Sequence, residues 1–133
     1  PASSINAEET LNLNYESSKI LTEICNFYEV EKLVFASSCS VYGASTSGYL
    51  TEDSPLNPVS LYARTRIYSE NYILDNSKIT SPTILRLSTV FGFSPRMRYD
   101  LTVNEFTKDL TLKRKLSTSI RNLISLAACN QQR

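Results

Sequence analysis

The chain has 133 residues, 41% apolar and 20% charged, with a formal net charge of +1. Those values fit one soluble globular domain and exclude a disordered chain, and they give no whole-chain attraction to nucleic acid or anionic lipid. There is no histidine, so Ser-His-Asp and Cys-His nucleophilic sites and histidine-ligated zinc are excluded, and the three glycines, Gly43, Gly48 and Gly92, form no phosphate-cradling Gly-rich turn. Cys25, Cys39 and Cys129 are an odd, widely spaced set without a CxxC pair. That excludes a disulfide framework and a zinc ribbon, and predicts reduced thiols in a cytoplasmic protein. No 18-residue apolar run and no basic-then-apolar leader occurs, so neither a membrane span nor a secretory signal is expected.

Asn6 and Glu9 form a capping-box variant that starts a helix over about 7–29. Leu13, Ile20, Leu21, Ile24, Cys25 and Tyr28 recur at three- and four-residue steps, predicting one apolar stripe. Residues 32–37, Lys-Leu-Val-Phe-Ala-Ser, are a short apolar run of the kind that suits a parallel strand buried on both faces. Gly43, Gly48, Pro55 and Pro58 punctuate a loop, and a second helix is expected over about 60–76. A second strand follows at 83–88, then a loop at 92–98 and a third helix at about 100–114. This alternation predicts an α/β domain with a parallel sheet and right-handed crossovers.

Three features fall at strand ends, where ligands bind in open parallel sheets. They are residues 37–43 (Ser-Ser-Cys-Ser-Val-Tyr-Gly), Tyr62 to Arg66 at the head of the second helix, and Arg86 to Gly92. Tyr62 and Arg66 are four apart and share a helix face. A cation beside a phenol favours the phenolate, and such a phenol can act as general base toward an alcohol. A hydroxyl such as that of Ser38 can hydrogen-bond the same substrate oxygen.

Several segments together resemble a family: residues 14–18 (Asn-Tyr-Glu-Ser-Ser), 33–43 (Leu-Val-Phe-Ala-Ser-Ser-Cys-Ser-Val-Tyr-Gly), 51–55 (Thr-Glu-Asp-Ser-Pro), 58–66 (Pro-Val-Ser-Leu-Tyr-Ala-Arg-Thr-Arg), Glu70, and 85–92 (Leu-Arg-Leu-Ser-Thr-Val-Phe-Gly). They resemble the extended short-chain dehydrogenase/reductases, in particular the NAD-dependent nucleotide-sugar epimerases and dehydratases. The resemblance implies a partial Rossmann-like doubly wound sheet, the C-terminal half of an NAD(P)-binding domain, over residues 1–115. It implies a catalytic set of Ser38, Tyr62 and Arg66. Cofactor contacts would come from Asn14, Ser37, Tyr62, Arg66, Leu87 and Ser88, and substrate contacts from Ser38, Cys39, Ser40 and Thr89. The implied chemistry is transient oxidation of a nucleotide-linked sugar by NAD or NADP, through a keto sugar. Residues 7–29 and 60–76 would form a homodimer by helix packing, with no nucleic-acid or membrane partner and no metal.

Three departures refine the expectation. Arg66 stands where the family has Lys; it keeps the charge but is bulkier and cannot relay a proton, which predicts reduced activity. Cys39-Ser40 stands where the family's dehydratases carry Asp-Glu, which favours epimerisation over dehydration, with a dehydratase or decarboxylase as the alternative. The family's Gly-rich pyrophosphate turn has no counterpart in residues 1–133. The chain therefore reads as the middle of a longer protein, incomplete for catalysis alone, and a non-catalytic helix-mediated dimerisation module is the rival expectation. Residues 116–133 match no family feature and read as a tail of unrelated sequence.

Overall fold

Asn6 opens the first helix as the sequence predicts: its side chain accepts from the Glu9 amide at 3.0 Å, and its own amide donates to the Glu9 carboxylate at 3.2 Å. The computed structural model describes residues 6–43, 49–78 and 81–113. The elements are α1 (Ala7–Leu11), a π turn (Asn12–Glu16), α2 (Ser17–Phe27), β1 (Lys32–Ser38), a 3-10 turn (Cys39–Tyr42), α3 (Leu61–Asn76), β2 (Ser81–Leu87) and α4 (Thr102–Lys113). The expected tail at 116–133, Cys129 and Gly48 lie outside the described residues. So the single helix expected over 7–29 is interrupted by a π turn. There Asn14 donates its side-chain amide to the Thr10 carbonyl at 2.9 Å, which satisfies a backbone acceptor in the disturbed turn.

β1 and β2 pair in parallel, with Phe35 opposite Ile84, Ser37 opposite Arg86 and Ser38 opposite Leu87. α3, capped by Ser60 accepting from the Ala63 amide at 3.1 Å, packs on one face of this pair. The expectation that the first strand is buried on both faces does not hold among the described residues. Ser37 faces α3 and is buried, while Val34 is 62% exposed and Leu85 and Leu87 are exposed as well. Period-two alternation sends these side chains to the face away from α3.

The contact between α2 and α3 departs from the expected stripe. Of its residues only Cys25 is buried; Leu13, Ile20, Leu21, Ile24 and Tyr28 are exposed. The buried positions of α2 are Ser18, Thr22 and Cys25. Small side chains let the two helices approach closely, and their hydroxyls are satisfied by backbone carbonyls within and between the helical segments. Ser18 donates to the Asn14 carbonyl at 2.7 Å, Thr22 to Ser18 at 2.8 Å, and Ser69 of α3 to Asn14 at 2.8 Å. A carboxamide bridge from Asn26 to the Asn76 carbonyl at 2.7 Å joins the far ends of α2 and α3.

The 3-10 turn ends at Gly43, whose φ of +63° lies in the left-handed region. A Cβ there would sit 1.8 Å from the Asn57 carbonyl oxygen, so the chain returning from the loop needs this position bare. The return strand is pinned by the Asn57 amide on the Val41 carbonyl at 3.1 Å. After β2, the segment 91–100 is tied to α4 by buried Asn104, which accepts from the Gly92 amide at 3.3 Å and donates to the Arg98 carbonyl at 3.1 Å.

Candidate active site

The end of β1 hands the chain to the 3-10 turn through Ser38. Its side chain is the N-cap of that turn and accepts from the Ser40 amide at 3.2 Å. The acceptor role leaves the hydroxyl proton of Ser38 to donate elsewhere. Cys39 is half-buried and not in a disulfide, and the Ser40 hydroxyl oxygen is buried without a hydrogen-bond partner.

Tyr62 occupies the first turn of α3, and Arg66 follows one turn later. The Arg66 guanidinium lies over the Tyr62 ring with its carbon 5.0 Å from the centroid, and over the Phe35 ring of β1 at 5.5 Å. Stacking of a guanidinium on two rings is a favourable cation–π arrangement. It ties the head of α3 to β1 three residues before Ser38. The Nε of Arg66 is buried and has no partner. An orphaned buried donor is costly, and a ligand oxygen delivered beside it would satisfy it.

Arg98 is clasped by Asp100 at 2.6 and 3.1 Å. That hydrogen bond raises the Arg98 guanidinium above its ordinary value, with a smaller electrostatic contribution from Tyr62.

The remaining expected positions divide by location. Leu87, Ser88 and Thr89 continue from the end of β2, beside the end of β1. Ser37 is buried and its hydroxyl donates to Glu70 of α3, because the pleat sends it to the same face as Phe35. The Asn14 carbonyl accepts from Ser69 of α3, and its side-chain amide donates to the Thr10 carbonyl.

Sequence reasoning passed over one cluster. Glu70 holds Arg86 by a bidentate pair, with Arg86 Nη2 at 2.7 Å and Nε at 3.1 Å from the same carboxylate oxygen and Nε at 3.3 Å from the other. Arg86 also donates to the Tyr42 hydroxyl at 2.8 Å. The signal was present: a lone arginine between Leu85 and Leu87 in an apolar strand needs a buried partner. Among the described residues no group of three or more His, Cys, Asp or Glu is placed to hold a metal ion, and no helix is long and apolar enough to cross a membrane.

The family model of the NAD dependent epimerase/dehydratase family matches residues 1–128, running past the boundary at 115 drawn from the motifs. The chain is similar to the uncharacterized UDP-glucose epimerase YtcB of Bacillus subtilis (strain 168), at 33% identity over 71% of this chain and 30% of that protein. It is similar to the UDP-glucose 4-epimerase of the same organism at 34% identity, over 64% of this chain and 26% of that enzyme. Among solved structures, the NAD dependent NDP-hexosamine 5,6-dehydratase TunA superposes with a TM-score of 0.76 and 29% identity, over 90% of this chain and 40% of that one. MoeE5 in complex with UDP-glucose and NAD superposes with a TM-score of 0.71 and 32% identity, over 85% of this chain and 38% of that one. The chain thus spans well under half the length of these relatives.

Proposed function

From the premise that the chain belongs to the NAD dependent epimerase/dehydratase family, we propose that it carries the reacting end of an NAD-dependent nucleotide-sugar epimerase. The observation that supports this most directly is the Arg66 guanidinium over the Tyr62 ring at the head of α3, bound to β1 through Phe35 just before Ser38. Tyr62 takes the proton of a sugar hydroxyl as general base, held in place by the Arg66 guanidinium stacked on its ring. Ser38, its oxygen already occupied by the Ser40 amide, donates its proton to the same sugar oxygen. Cys39, Ser40 and Thr89 line the sugar.

The residues present fit the nicotinamide end of NAD. The unpaired Arg66 Nε offers a donor, and the chain at Ser37, Leu87 and Ser88 offers backbone groups at adjoining strand ends. Asn14 supports that region from behind through Ser69. Bound NAD would accept a hydride from the sugar carbon and return it to the opposite face. No carboxylate stands at Cys39 or Ser40, so water loss has no acid–base pair there, and epimerisation is favoured over dehydration. We assign residues 1–128, the span the family model matches, to the C-terminal half of the NAD-binding domain, and the protein to the cytoplasm.

The experiment is a calorimetric titration of the chain with NAD, and NMR detection of UDP-sugar epimerisation by a protein that joins this chain to the family's Gly-rich pyrophosphate turn, with Tyr62 intact and with Tyr62→Phe. Tyr62→Phe should lower turnover by about a hundredfold or more, in the range for losing a general base. NAD binding with wild-type turnover in Tyr62→Phe would sink the reading.

A second reading is favoured by the exposed apolar side chains on the two helices. Leu13, Ile20, Leu21 and Ile24, with Tyr68 and Leu74 of α3, are solvent-exposed in the monomer. A homodimer through α2 and α3 would cover them. Sedimentation that shows dimers, together with no detectable NAD binding, would make the chain an association module instead of a catalyst.

A further inference from the structure

Glu70 lies eight residues after Tyr62 and four after Arg66 on α3, along one i+4 ridge of the helix. Its side chain is 2% exposed. One carboxylate oxygen accepts from the Ser37 hydroxyl and from Arg86 Nε, and the other accepts from Arg86 Nε and Nη2. Ser37 and Arg86 are cross-strand partners, so a single carboxylate grips both strands at one rung of the sheet. Arg86 then reaches on through Nη1 to the Tyr42 hydroxyl at 2.8 Å and to the Glu52 carbonyl at 3.2 Å. Tyr42 ends the 3-10 turn that Ser38 begins. Ser38 is therefore flanked on both sides by residues fastened to Glu70: Ser37 directly, and Tyr42 by way of Arg86.

A buried ion pair is a poor way to stabilise a fold, since desolvation cancels most of the attraction, and apolar side chains of similar volume often do as well. What the pair supplies is direction, because the planar guanidinium fork meets a carboxylate in a narrow set of orientations. We infer that Glu70 is a positioning residue that, through Ser37, Arg86 and Tyr42, fixes where Ser38 stands relative to Tyr62 on the same helix. The inference rests on the reading of Tyr62 and Ser38 as the reacting pair, and its main test does not depend on catalysis.

The test is amide hydrogen exchange by NMR on the full chain, for wild type, for Glu70→Leu combined with Arg86→Met, and for Glu70→Gln. The reporter is the Ser40 amide, which is bonded to the Ser38 hydroxyl oxygen; the amides of Thr22 and Cys25 in α2 are the reference. The folded double variant should exchange about tenfold faster at Ser40, with α2 unchanged, as a local opening does. Unchanged exchange at Ser40 would overturn the inference. So would a uniform speed-up that includes α2, or loss of folding in both variants, since each marks Glu70 as merely structural. If only the double variant fails to fold, Glu70→Gln decides by the same criteria. Where the wild type epimerises a UDP-sugar, the variant judged by exchange should also lose about tenfold or more in kcat with KM within about twofold, since misplacement of a reacting group costs rate before binding. No turnover from a protein that joins the wild-type chain to the Gly-rich turn would defeat the epimerase reading, while the exchange result would still judge the clamp.

Discussion

The guanidinium of Arg66 rests 5.0 Å from the centre of the Tyr62 ring, one helical turn away, with the Phe35 ring on β1 as its second support. A lysine would keep a charge over the rings but lose the planar stacking face of the guanidinium. Arginine gains the two rings but leaves its buried Nε unpaired. The two effects oppose each other, and two measurements separate them.

Arg66→Lys removes the orphaned donor and keeps the charge, at the loss of the ring contacts. Each of the two contacts is worth about 0.5–1 kcal/mol and the orphaned donor costs about 1–3 kcal/mol, so the unfolding free energy should change by between about −1 and +2 kcal/mol. Epimerase turnover should rise, because a compact ammonium frees the space beside Tyr62. Urea unfolding and NMR-detected turnover of the same variant check both points, and unchanged turnover would contradict the argument.

Gly43→Ala should be among the more damaging single changes. The residue is at φ +63°, and a methyl group would meet the Asn57 carbonyl oxygen at 1.8 Å. Strain of this kind costs about 1–3 kcal/mol, and relief requires the Val41–Asn57 contact to open. Gly92→Ala is the control: its φ of +120° is also unfavourable, yet nothing lies within 4 Å of its added Cβ. Thermal unfolding should show the larger loss for Gly43→Ala.

Local signals were legible and long-range ones were not. The cap at Asn6 and the order of helices and strands follow from side-chain chemistry within a few residues, and they appear where the sequence predicts them. Periodicity found the helix over 7–29 but not its inward face. Large apolar side chains carry the period, whereas the contact with α3 uses Ser18, Thr22 and Cys25, which are small enough for close approach. The π turn has no residue signature; it shows only in how Asn14 serves the Thr10 carbonyl. Tyr62 and Arg66 were visible because they sit four apart on one helix. Glu70 and Arg86 were not joined, because their meeting depends on the register that sets Ser37 opposite Arg86.

Asp100 offers a test by pH. The Arg98 hydrogen bond holds its carboxyl below the ordinary carboxylate value, against a smaller opposing effect of desolvation. A depressed carboxyl pKa stabilises the fold above the unfolded value, and that stability is lost as pH falls through the folded value. Both side chains are well exposed, so the contribution is small. The carboxyl carbon shift of Asp100 should titrate at lower pH than in an unstructured peptide. In Arg98→Ala it should move back up; an identical midpoint in the two proteins would show that the clasp does not form in solution.

The exposed face of α2 and its buried face should answer substitution in opposite ways. Thr22 is 1% exposed and its hydroxyl is bonded to the Ser18 carbonyl. Thr22→Leu adds volume where α2 meets α3, forces the helices apart and should cost about 1–3 kcal/mol, the usual range for overpacking. Ile24 is 47% exposed, and Ile24→Lys should leave the monomer within about 0.5 kcal/mol of wild type. If the chain self-associates through this face, the lysine should also shift sedimentation toward monomer, whereas Thr22→Leu lowers the unfolding midpoint at every protein concentration. Denaturant curves at two concentrations distinguish these outcomes. A large loss for Ile24→Lys in dilute monomer would mean that the apolar stripe faces the core after all.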